Sequence, residues 1–424
     1  MTGREFIDDL KWRGLFAQST DEDALIAALD SGPMTAYIGF DPTAPSLHIG
    51  HLVVLLVLRR FQLAGHRPVA LVGGATGLVG DPSGRNSERT LNDEEVVGGW
   101  VAGIRAQLGA FLAFDDSTTG AVMANNLDWT RSLSALELLR DIGKHFSVNQ
   151  MLAKDSVATR LDGGGISYTE FSYQVLQAYD FLELYRREGC TLQMGGSDQW
   201  GNITAGLDLI RRVDQGSAHA LTLSLLMKAD GNKFGKTAGG AVWLDPEMTS
   251  PYAFYQFWFN SDDADVISYL KFFSFADHQM IDELAVAVTT HPAERGAQRF
   301  LARELTTLVH GLEECERVEL AASALFGQGE LTDVQEATLA GALSQVPRAI
   351  IARGQMPSLV ELLAATGVVD SKSAARRTIR EGGAYVNNAK VTDETFVPTE
   401  SDLLHDRFLV LRRGKRDIAA IEVL

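Results

Sequence analysis

One stretch near the start of the chain constrains the fold more than any other, because it gives strand, loop, helix and strand signals in turn. An apolar run at 35–40 is followed by a turn-rich loop at 41–47, and a second apolar run at 52–58 leads to Gly65, a helix stop. Residues 68–72 again resemble a strand. Two strands joined by a helix form a parallel βαβ unit, so the pattern predicts an α/β domain with a parallel sheet.

His48 and His51 stand at the opening turn of this predicted helix, with Gly50 between them. Backbone N–H groups and the positive end of the helix dipole attract an anion at such a turn. Side chains three residues apart share a helix face, and Gly50 leaves room for a close-lying nucleotide. A zinc-binding pair or ordinary polar residues would give the same pattern, but the chain has only 2 cysteines and no acidic ligand at metal spacing. The pattern favours a site for ribose and phosphate.

A glycine-rich stretch at 231–240 contains Lys233, Lys236 and Thr237. Its glycines predict a mobile loop between an apolar stretch and a strand. Two compact cations three residues apart suit a leaving pyrophosphate, on which negative charge develops. A Walker phosphate loop would need a glycine where Asp230 stands, so that alternative fails. Together with the histidine pair, the stretch predicts an enzyme that activates its substrate with ATP.

These two segments and five further blocks resemble the signatures of bacterial tyrosyl-tRNA synthetases, a family of class I aminoacyl-tRNA synthetases. The blocks lie at 37–43, 73–89, 125–129, 173–180 and 195–202, and the resemblance covers essentially the whole chain. The second signature departs from the family pattern, since Phe234 and Gly235 replace its Met-Ser pair and Thr237 its last Ser. Both lysines and a hydroxyl remain, so we expect the departure to affect loop dynamics more than chemistry.

The resemblance implies an α/β fold in three parts. A Rossmann-like catalytic domain with a parallel sheet is expected at 1–245, with an inserted segment at about 127–161 that joins two subunits in a homodimer. The apolar residues Phe146, Val148, Met151 and Leu152 of this segment could serve that contact, although internal packing explains them as well. An α-helical anticodon-recognition domain at 246–347, a linker at 348–356 and a small α+β S4-like RNA-binding domain at 357–424 are expected to follow.

Three polar residues are candidates for recognising the amino acid. Tyr173, Gln177 and Asp180 fall on one stripe of a predicted helix, where they could line a slot or form a solvated polar face. The resemblance implies that Asp180 and Tyr37 contact the phenol of L-tyrosine. It also implies that Tyr173, Gln177 and Asp81 hold the ammonium group.

The resemblance assigns the ATP site as well. It implies that Thr43 and His48 contact the γ-phosphate end, His51 and Asp198 the ribose, and Gln199 the reacting carboxylate. Lys233 and Lys236 would hold the pyrophosphate. The full set for ATP and catalysis is Gly39, Asp41, Thr43, His48, Gly50, His51, Gly196, Asp198, Lys233, Lys236 and Thr237, with Arg85 and Arg89 as either phosphate clamps or members of a solvated basic loop. Magnesium is expected to accompany ATP, and neither a protein metal site nor a tightly bound cofactor is expected.

The charge distribution indicates where RNA binds. The net charge is -17, yet residues 351–424 hold 11 Lys or Arg against 10 Asp or Glu, so residues 1–350 carry all of the excess negative charge. Lys372, Arg376, Arg377 and Arg380 follow Ser371, a good helix N-cap, and predict a basic helix. A solvated charged helix is the other interpretation. In the S4-like segment, a hairpin is also predicted to turn at the asparagine pair of 385–391.

The expected activity is that of a tyrosine-tRNA ligase with L-tyrosine, ATP and the tRNA for tyrosine as substrates. A tryptophan-specific relative and a non-catalytic RNA-binding protein on the same fold are the alternatives. The sequence has no apolar stretch of 18 residues and no secretory signal pattern, and it has no disulfide framework. We therefore expect a cytoplasmic protein without a membrane partner.

Overall fold

The computed structural model describes residues 1–83, 92–161, 165–229, 234, 236–237, 240–327, 329–414 and 417–424. By their contacts, these described residues group into two compact units. The first unit is Met1–Asp245 with Asp262–Val286, and the second is Pro246–Ser261 with Ala287–Leu424. In the described part of the chain, no helix is both long and apolar enough to cross a bilayer.

The first unit is built on a mainly parallel sheet. Its strands are β1 (Phe16–Ser19), β2 (Thr35–Phe40), β3 (Arg67–Val72), β4 (Val122–Asn125), β5 (Cys190–Gly196) and β6 (His219–Leu223). They lie in the order β1-β6-β5-β2-β3-β4, and only β1 pairs antiparallel among them. The predicted parallel sheet and α/β class are confirmed. Because the strand order reverses between β2 and β5, a ligand is expected beyond the carboxyl ends of these two strands.

Helices cover this sheet and continue into the second unit. Those up to residue 290 are α1 (Gly3–Trp12), α2 (Glu22–Asp30), α3 (Ile49–Leu63), α4 (Thr76–Val79), α5 (Glu94–Gly109), α6 (Leu127–Thr130), α7 (Ala135–Glu137), α8 (Val148–Leu152), α9 (Asp155–Leu161), α10 (Tyr168–Glu188), α11 (Trp200–Asp214), α12 (Pro251–Phe259), α13 (Asp263–Phe273) and α14 (His278–Thr290). Helix α12 belongs to the second unit, and α14 ends in it.

Helix α3 shows how the sequence places the site. Leu52, Leu55 and Leu56 are fully buried, because the helix is apolar on most of its surface and packs inside the unit. The chain leaves β2 at Phe40 and enters α3 at Ile49. The first turn of α3 therefore follows the carboxyl end of β2 after one short loop.

The second unit contains the remaining helices and a second sheet. Its helices are α15 (Gly296–His310), α16 (Leu312–Leu325), α17 (Glu336–Leu343), α18 (Leu359–Ala365) and α19 (Lys372–Arg380). After the short β7 (Lys236–Thr237) and β8 (Gly240–Ala241) of the first unit come β9 (Arg348–Ile351), β10 (Ala384–Val386), β11 (Ala389–Val391), β12 (Phe408–Arg413) and β13 (Asp417–Val423). The second sheet has the order β11-β10-β12-β13-β9, and α18 and α19 share a buried apolar core with it.

The predicted hairpin of the C-terminal region is confirmed. Strands β10 and β11 pair antiparallel and are joined by Asn387 and Asn388, whose φ angles are 46° and 67°. Asparagine tolerates this left-handed backbone better than other residues with a side chain, which makes a two-residue turn feasible here.

Two parts of the predicted domain division differ from the structure. The predicted linker at 348–356 begins with β9, which pairs parallel with β13, so its first residues belong to the second sheet. Helix α13, predicted within the helical domain, groups with the first unit. The reason is a long-range contact, because Arg13 of the first unit donates hydrogen bonds to the carbonyls of Lys271, Ser274 and Ala276 at the end of α13. The three-domain boundaries themselves stay a prediction.

Candidate active site

The histidine pair is fixed by its own helix. His48 is the N-cap of α3, and its Nδ1 accepts a hydrogen bond from the backbone N–H of Gly50 at 3.0 Å. Nδ1 of His51 accepts from the backbone N–H of His48 at 3.2 Å, and the two rings stack with centroids 3.9 Å apart. A nitrogen that accepts carries no proton, so each neutral ring keeps its proton on Nε2. Burial lowers the pKa of His48, which favours this neutral form.

A close approach explains Gly50. A Cβ atom at this position would lie 2.7 Å from Cε1 of His48. Any side chain here would therefore push the His48 ring out of its capping position.

The segment that follows the second signature is bound to the first one. The backbone N–H of Ile49 donates to the carbonyl of Val242 at 3.0 Å, and that of Leu244 donates to the carbonyl of Leu47 at 2.9 Å. The rings of His48 and Trp243 lie 5.8 Å apart, edge to face. Just before this segment, β7 pairs with β8. The chain thus brings the backbone of the lysine signature close to the histidine signature.

A cavity of about 380 Å³ opens beyond the carboxyl ends of β2 and β5. The predicted site residues that line it are Tyr37, Gly39, Asp41, Thr43, His48, Gly50, His51, Asp81, Tyr173, Gln177, Asp180, Gly196, Asp198 and Gln199. The structure therefore brings together the predicted tyrosine and ATP residues that it describes. Their individual roles stay predictions.

The polar stripe of α10 is buried. Tyr173 and Asp180 are 6% and 2% exposed, and both line the cavity with Gln177. The solvated-face interpretation of this stripe is therefore wrong, because Tyr173 and Asp180 are buried and all three side chains line the cavity.

Asp180 is held by two side chains that sequence analysis missed. Its Oδ2 accepts a hydrogen bond from Nδ2 of Asn126 at 2.9 Å, and its Oδ1 accepts from the indole N–H of Trp129 at 2.8 Å. Burial raises the pKa of Asp180 to about 7, although these two donors act to lower it. The carboxyl group thus titrates near neutral pH while its orientation is fixed.

A second carboxylate, Asp41, is linked to the first through hydrogen bonds. Its Oδ2 accepts from the hydroxyl of Tyr173 at 2.7 Å, and its Oδ1 accepts from the hydroxyl of Thr76 at 2.6 Å. Nδ2 of Asn126 also donates to Oγ1 of Thr76 at 2.9 Å. One chain of hydrogen bonds therefore runs from Tyr173 through Asp41, Thr76 and Asn126 to Asp180.

Asp81 belongs to a separate polar cluster. Its Oδ1 accepts from the backbone N–H of Ser83 at 2.9 Å, and its Oδ2 accepts from Nε2 of Gln199 at 2.7 Å. Oε1 of Gln199 in turn accepts from Asn202 at 3.2 Å. Asp81, predicted to bind the ammonium group, and Gln199, predicted to contact the carboxylate, are thus direct neighbours. This is expected if they bind the two ends of one amino-acid backbone.

Three buried polar atoms at the cavity lack a hydrogen-bond partner among the described residues. They are the Tyr37 hydroxyl, Oε1 of Gln177 and Oε1 of Gln193. A buried polar group without a partner is costly, so such atoms mark places where a ligand supplies the missing bond. Gln193 was not predicted, although a polar residue in the apolar strand β5 is a signal that could have identified it.

Some predicted residues fall outside the description. Arg85, Arg89 and Lys233 lie outside the described residues, and Lys236 and Thr237 are described only as backbone. Within the described residues, no group of three or more His, Cys, Asp or Glu is placed to hold a metal ion.

The predicted basic helix forms in the second unit as α19, with Ser371 as its N-cap. Lys372 pairs with Glu361 at 2.9 Å, and Arg380 pairs with Glu394 at 2.8 Å. Arg376 and Arg377 are exposed, and neither forms an ion pair with a described residue. These two arginines therefore present most of the available positive charge of the helix.

Comparison with known proteins gives the family. Residues 29–327 match the model of class I tRNA synthetases (W and Y), and residues 338–421 match the SYY-like C-terminal domain of tyrosine–tRNA ligase. The tyrosine–tRNA ligase of Streptomyces coelicolor is 62% identical over 99% of both chains, and that of Thermobifida fusca is 60% identical over 98% of this chain and 99% of its own.

A solved structure agrees with these sequence matches. The C-terminally truncated mitochondrial tyrosyl-tRNA synthetase of Aspergillus nidulans superposes with a TM-score of 0.69 at 30% identity, covering 76% of this chain and 97% of its own. The chain therefore belongs to the class I tRNA synthetases for tryptophan and tyrosine, and within them to the tyrosine–tRNA ligase family.

Proposed function

We propose that this aminoacyl-tRNA synthetase activates L-tyrosine with ATP and transfers it to the terminal adenosine of the tRNA for tyrosine. The observation that carries the choice of amino acid is a buried carboxyl group, Asp180, in the same cavity as the unpartnered buried hydroxyl of Tyr37. A phenol can donate to the first group and accept from the second. Tyrosine can thus supply a hydrogen-bond partner to the Tyr37 hydroxyl.

The same two groups discriminate against similar amino acids. Phenylalanine would leave the Tyr37 hydroxyl without a ligand partner, at a cost of about 1 to 3 kcal/mol, and would add no donor to the two that Asp180 already has. The indole of tryptophan has one N–H donor and no acceptor, so it cannot satisfy the Tyr37 hydroxyl as a donor. A phenol therefore fits this pair of groups better than either ring.

The amino-acid backbone is proposed to lie between the two polar clusters. Asp81 supplies negative charge for the ammonium group, and Oε1 of Gln177 supplies an acceptor that no described residue engages. Tyr173, whose hydroxyl is bonded to Asp41, completes this side of the cavity. Gln199 donates to Asp81 and is placed to contact the substrate carboxylate next to it.

Activation needs no general base. The substrate carboxylate is ionised at neutral pH, and its oxygen forms a bond to the α-phosphorus of ATP while the bond from that phosphorus to the bridging oxygen breaks. Pyrophosphate leaves with the electron pair. The protein lowers the barrier by aligning the reactants and stabilising phosphate charge.

The residues proposed for this task are those at the histidine turn and the lysine signature. His48 and His51 offer Nε2–H donors at the start of α3, where the helix dipole also favours an anion. Thr43 would assist His48 at the γ-phosphate end, and Asp198 would accept from the ribose. Lys233 and Lys236 would bind the pyrophosphate. In the second step, a hydroxyl of the terminal ribose attacks the adenylate carbonyl and AMP leaves.

Magnesium is proposed to enter with ATP. The carboxylates of the cavity fit this proposal, because three of the four that line it already accept hydrogen bonds from the protein. Asp41 accepts from two hydroxyls, Asp81 from Ser83 and Gln199, and Asp180 from Asn126 and Trp129. The ion would neutralise phosphate charge during the displacement.

A homodimer is proposed through the inserted segment at about 127–161. Several large apolar side chains of this segment are exposed in the single chain, namely Leu136, Leu139, Val148, Leu152 and Leu161. Of the four residues predicted for this contact, Met151 is buried and packs internally, whereas Val148 is 59% exposed. Sedimentation equilibrium tests the proposal, since a mass of one chain at micromolar concentration would contradict it.

The tRNA is proposed to contact α19 through Arg376 and Arg377, the exposed cations described above. We place the reaction in the cytoplasm, where the free thiols Cys190 and Cys315 would stay reduced.

ATP–pyrophosphate exchange tests the activation step directly. The purified protein is supplied with each of the twenty amino acids in turn, without tRNA. We expect exchange with tyrosine and at least a hundredfold less with phenylalanine or tryptophan. Exchange with tryptophan would show that Asp180 and Tyr37 do not select a phenol, and absence of exchange with every amino acid would contradict the proposed activation.

A further inference from the structure

Phe234, which directly follows the first signature lysine, packs against α13. Its ring lies 5.0 Å from the ring of Tyr269 at 63°, and 5.3 Å from the ring of Phe273 at 40°. Its backbone N–H donates to the carbonyl of Leu226 at 3.3 Å. Phe234 is therefore attached at both its side chain and its backbone.

The two rings that contact Phe234, called its seat below, are held in the core. Tyr269 and Phe273 are 3% and 0% exposed, so their rings cannot turn away from Phe234 without disturbing the core. Near the start of α13, Asp265 accepts a hydrogen bond from the backbone N–H of Ala229 at 2.7 Å. The chain that enters the lysine signature is thus bound to α13 before Phe234 as well.

The far end of α13 is tied to the helix of the histidine signature. Arg60, in the last turn of α3, donates to the carbonyl of Ser274, which also accepts from Arg13 at 3.1 Å. Both arginines are buried, at 8% and 5% exposure. One helix, α3, therefore carries the histidine pair at its start and the anchor of α13 at its end.

We propose that Phe234 is a positioning residue. By packing on its seat, the rings of Tyr269 and Phe273, it fixes the position of the lysine signature relative to the histidine signature. The inference rests on the proposed role of Lys233 and Lys236 at the pyrophosphate. A lysine stem has four rotatable bonds, so the position of its ammonium group depends on where its backbone is fixed. Loss of the seat would let the lysines sample positions in which they do not bind the leaving group.

This role explains the aromatic residue in the signature. Ring pairs at 4.5–7 Å add attraction to the burial of their surface, and a methionine can fill the same seat because its flexible thioether also packs well against rings. Alanine would leave the seat empty. The inference therefore separates Phe234→Met, which keeps the contact, from Phe234→Ala, which removes it.

Single-turnover formation of the adenylate from tyrosine and ATP tests the inference. We expect Phe234→Ala to lower the forward rate about tenfold or more at saturating ATP, with the Kd for tyrosine within twofold of the parent and with Phe234→Met restoring most of the rate. Phe16→Ala is the matched control, since Phe16 is a partly exposed phenylalanine of the same unit that does not line the cavity. Urea unfolding of each variant checks that it is folded.

Variants on the seat and in the signature complete the test. Phe273→Leu should slow the same step, and combined with Phe234→Ala it should add little, because both remove one contact. Lys236→Ala tests the proposed role of Lys236 at the pyrophosphate. If Lys236→Ala slows the step by a hundredfold or more while Phe234→Ala does not, the positioning inference is wrong and the proposed function stands. If neither variant slows it, the pyrophosphate role of the lysine fails and the inference falls with it. A tyrosine Kd that weakens in parallel with the rate would also contradict a positioning role.

Discussion

Trp129 donates its indole N–H to Oδ1 of Asp180 at 2.8 Å and so fixes the orientation of this carboxyl group. Burial raises the pKa of the same group to about 7. The indole itself is 4% exposed, which gives the donor little freedom to move. The proposed recognition of a phenol by Asp180 thus depends on a residue that does not line the cavity with it. Burial and the two hydrogen-bond donors together set the pKa of Asp180, and the donors also set its orientation; both effects can be tested.

The first prediction concerns the charge. Asp180→Asn keeps the shape but removes the carboxylate, and hydrogen bonds to charged groups contribute about 1.5 to 3 kcal/mol. We expect kcat/KM for tyrosine in pyrophosphate exchange to fall by about 10- to 150-fold, with KM for ATP changed less than threefold. Asp282→Asn, at an exposed carboxylate of α14, is the control and should leave both constants unchanged. An equal loss for tyrosine and ATP would show that Asp180 does not act on the amino acid alone.

The second prediction concerns pH. Because the pKa of Asp180 is raised to about 7, the group loses its charge as pH falls through 7, and KM for tyrosine should rise there. Trp129→Phe removes a donor that favours the charged form, so the midpoint of this rise should move to higher pH. Tyrosine KM measured from pH 5.5 to 8.5 for both proteins checks the direction. A midpoint that stays in place or moves downward would contradict the assignment.

The third prediction applies the same shift to stability. The folded-state pKa of Asp180, about 7, is above its ordinary value of 3.8, so ionisation of this group destabilises the folded protein progressively as pH rises from about 4 to about 7. Asp180→Asn has no such ionisation. Without ligands, its urea midpoint should therefore gain more over the parent at pH 8 than at pH 5. A larger gain in urea midpoint at pH 5 would show that folding lowers the pKa of Asp180 rather than raising it.

The fourth prediction uses two glycines. A Cβ on Gly73 would lie 2.1 Å from Oδ1 of Asp41 and 2.3 Å from Oγ1 of Thr76. Gly73→Ala should therefore break the hydrogen bond between Thr76 and Asp41 and lower ATP–pyrophosphate exchange at least tenfold. Gly39 lines the cavity, and a Cβ there would meet no atom within 4 Å. If ATP occupies that space, Gly39→Ala should raise KM for ATP without changing KM for tyrosine. Gly98→Ala, at another open and exposed position on α5, should change neither.

The fifth prediction concerns the tRNA. Neutralising Arg376 and Arg377 together as glutamines should raise KM for tRNA about tenfold and reduce its salt dependence, because each phosphate contact contributes to the salt slope. Exchange without tRNA should be unaffected. Lys372→Gln, at a lysine already paired with Glu361, should have a smaller effect. Equal effects of the two changes would argue against direct contact by the arginine pair.

The sequence predicted the parts of the site that are local along the chain. The helix turn with His48 and His51 and the stripe of Tyr173 to Asp180 both depend on the helix period, and the structure places both at the cavity. The asparagine turn in the C-terminal hairpin follows from backbone preference. In each case a short segment carries its own signal.

The parts that were missed depend on contacts between distant segments. Asn126 is 54 residues from Asp180 and 50 from Thr76, and nothing in its local sequence shows that it joins them. Helix α13 was assigned by its position in the sequence, whereas the arginines that attach it to the first unit come from α3 and from the end of α1. Strand β9 was read as linker because four residues next to a proline give a weak strand signal, and its pairing with β13 is a long-range contact.

Identification of the tRNA that the protein charges tests the central claim most directly. Total bacterial tRNA is incubated with the protein, ATP and tyrosine as the only amino acid, then oxidised with periodate, which spares charged 3′ ends, and the protected molecules are sequenced. We predict that the protected tRNAs are those that read tyrosine codons. Protection of tRNAs for tryptophan, or of no tRNA while the protein binds tRNA, would contradict the account.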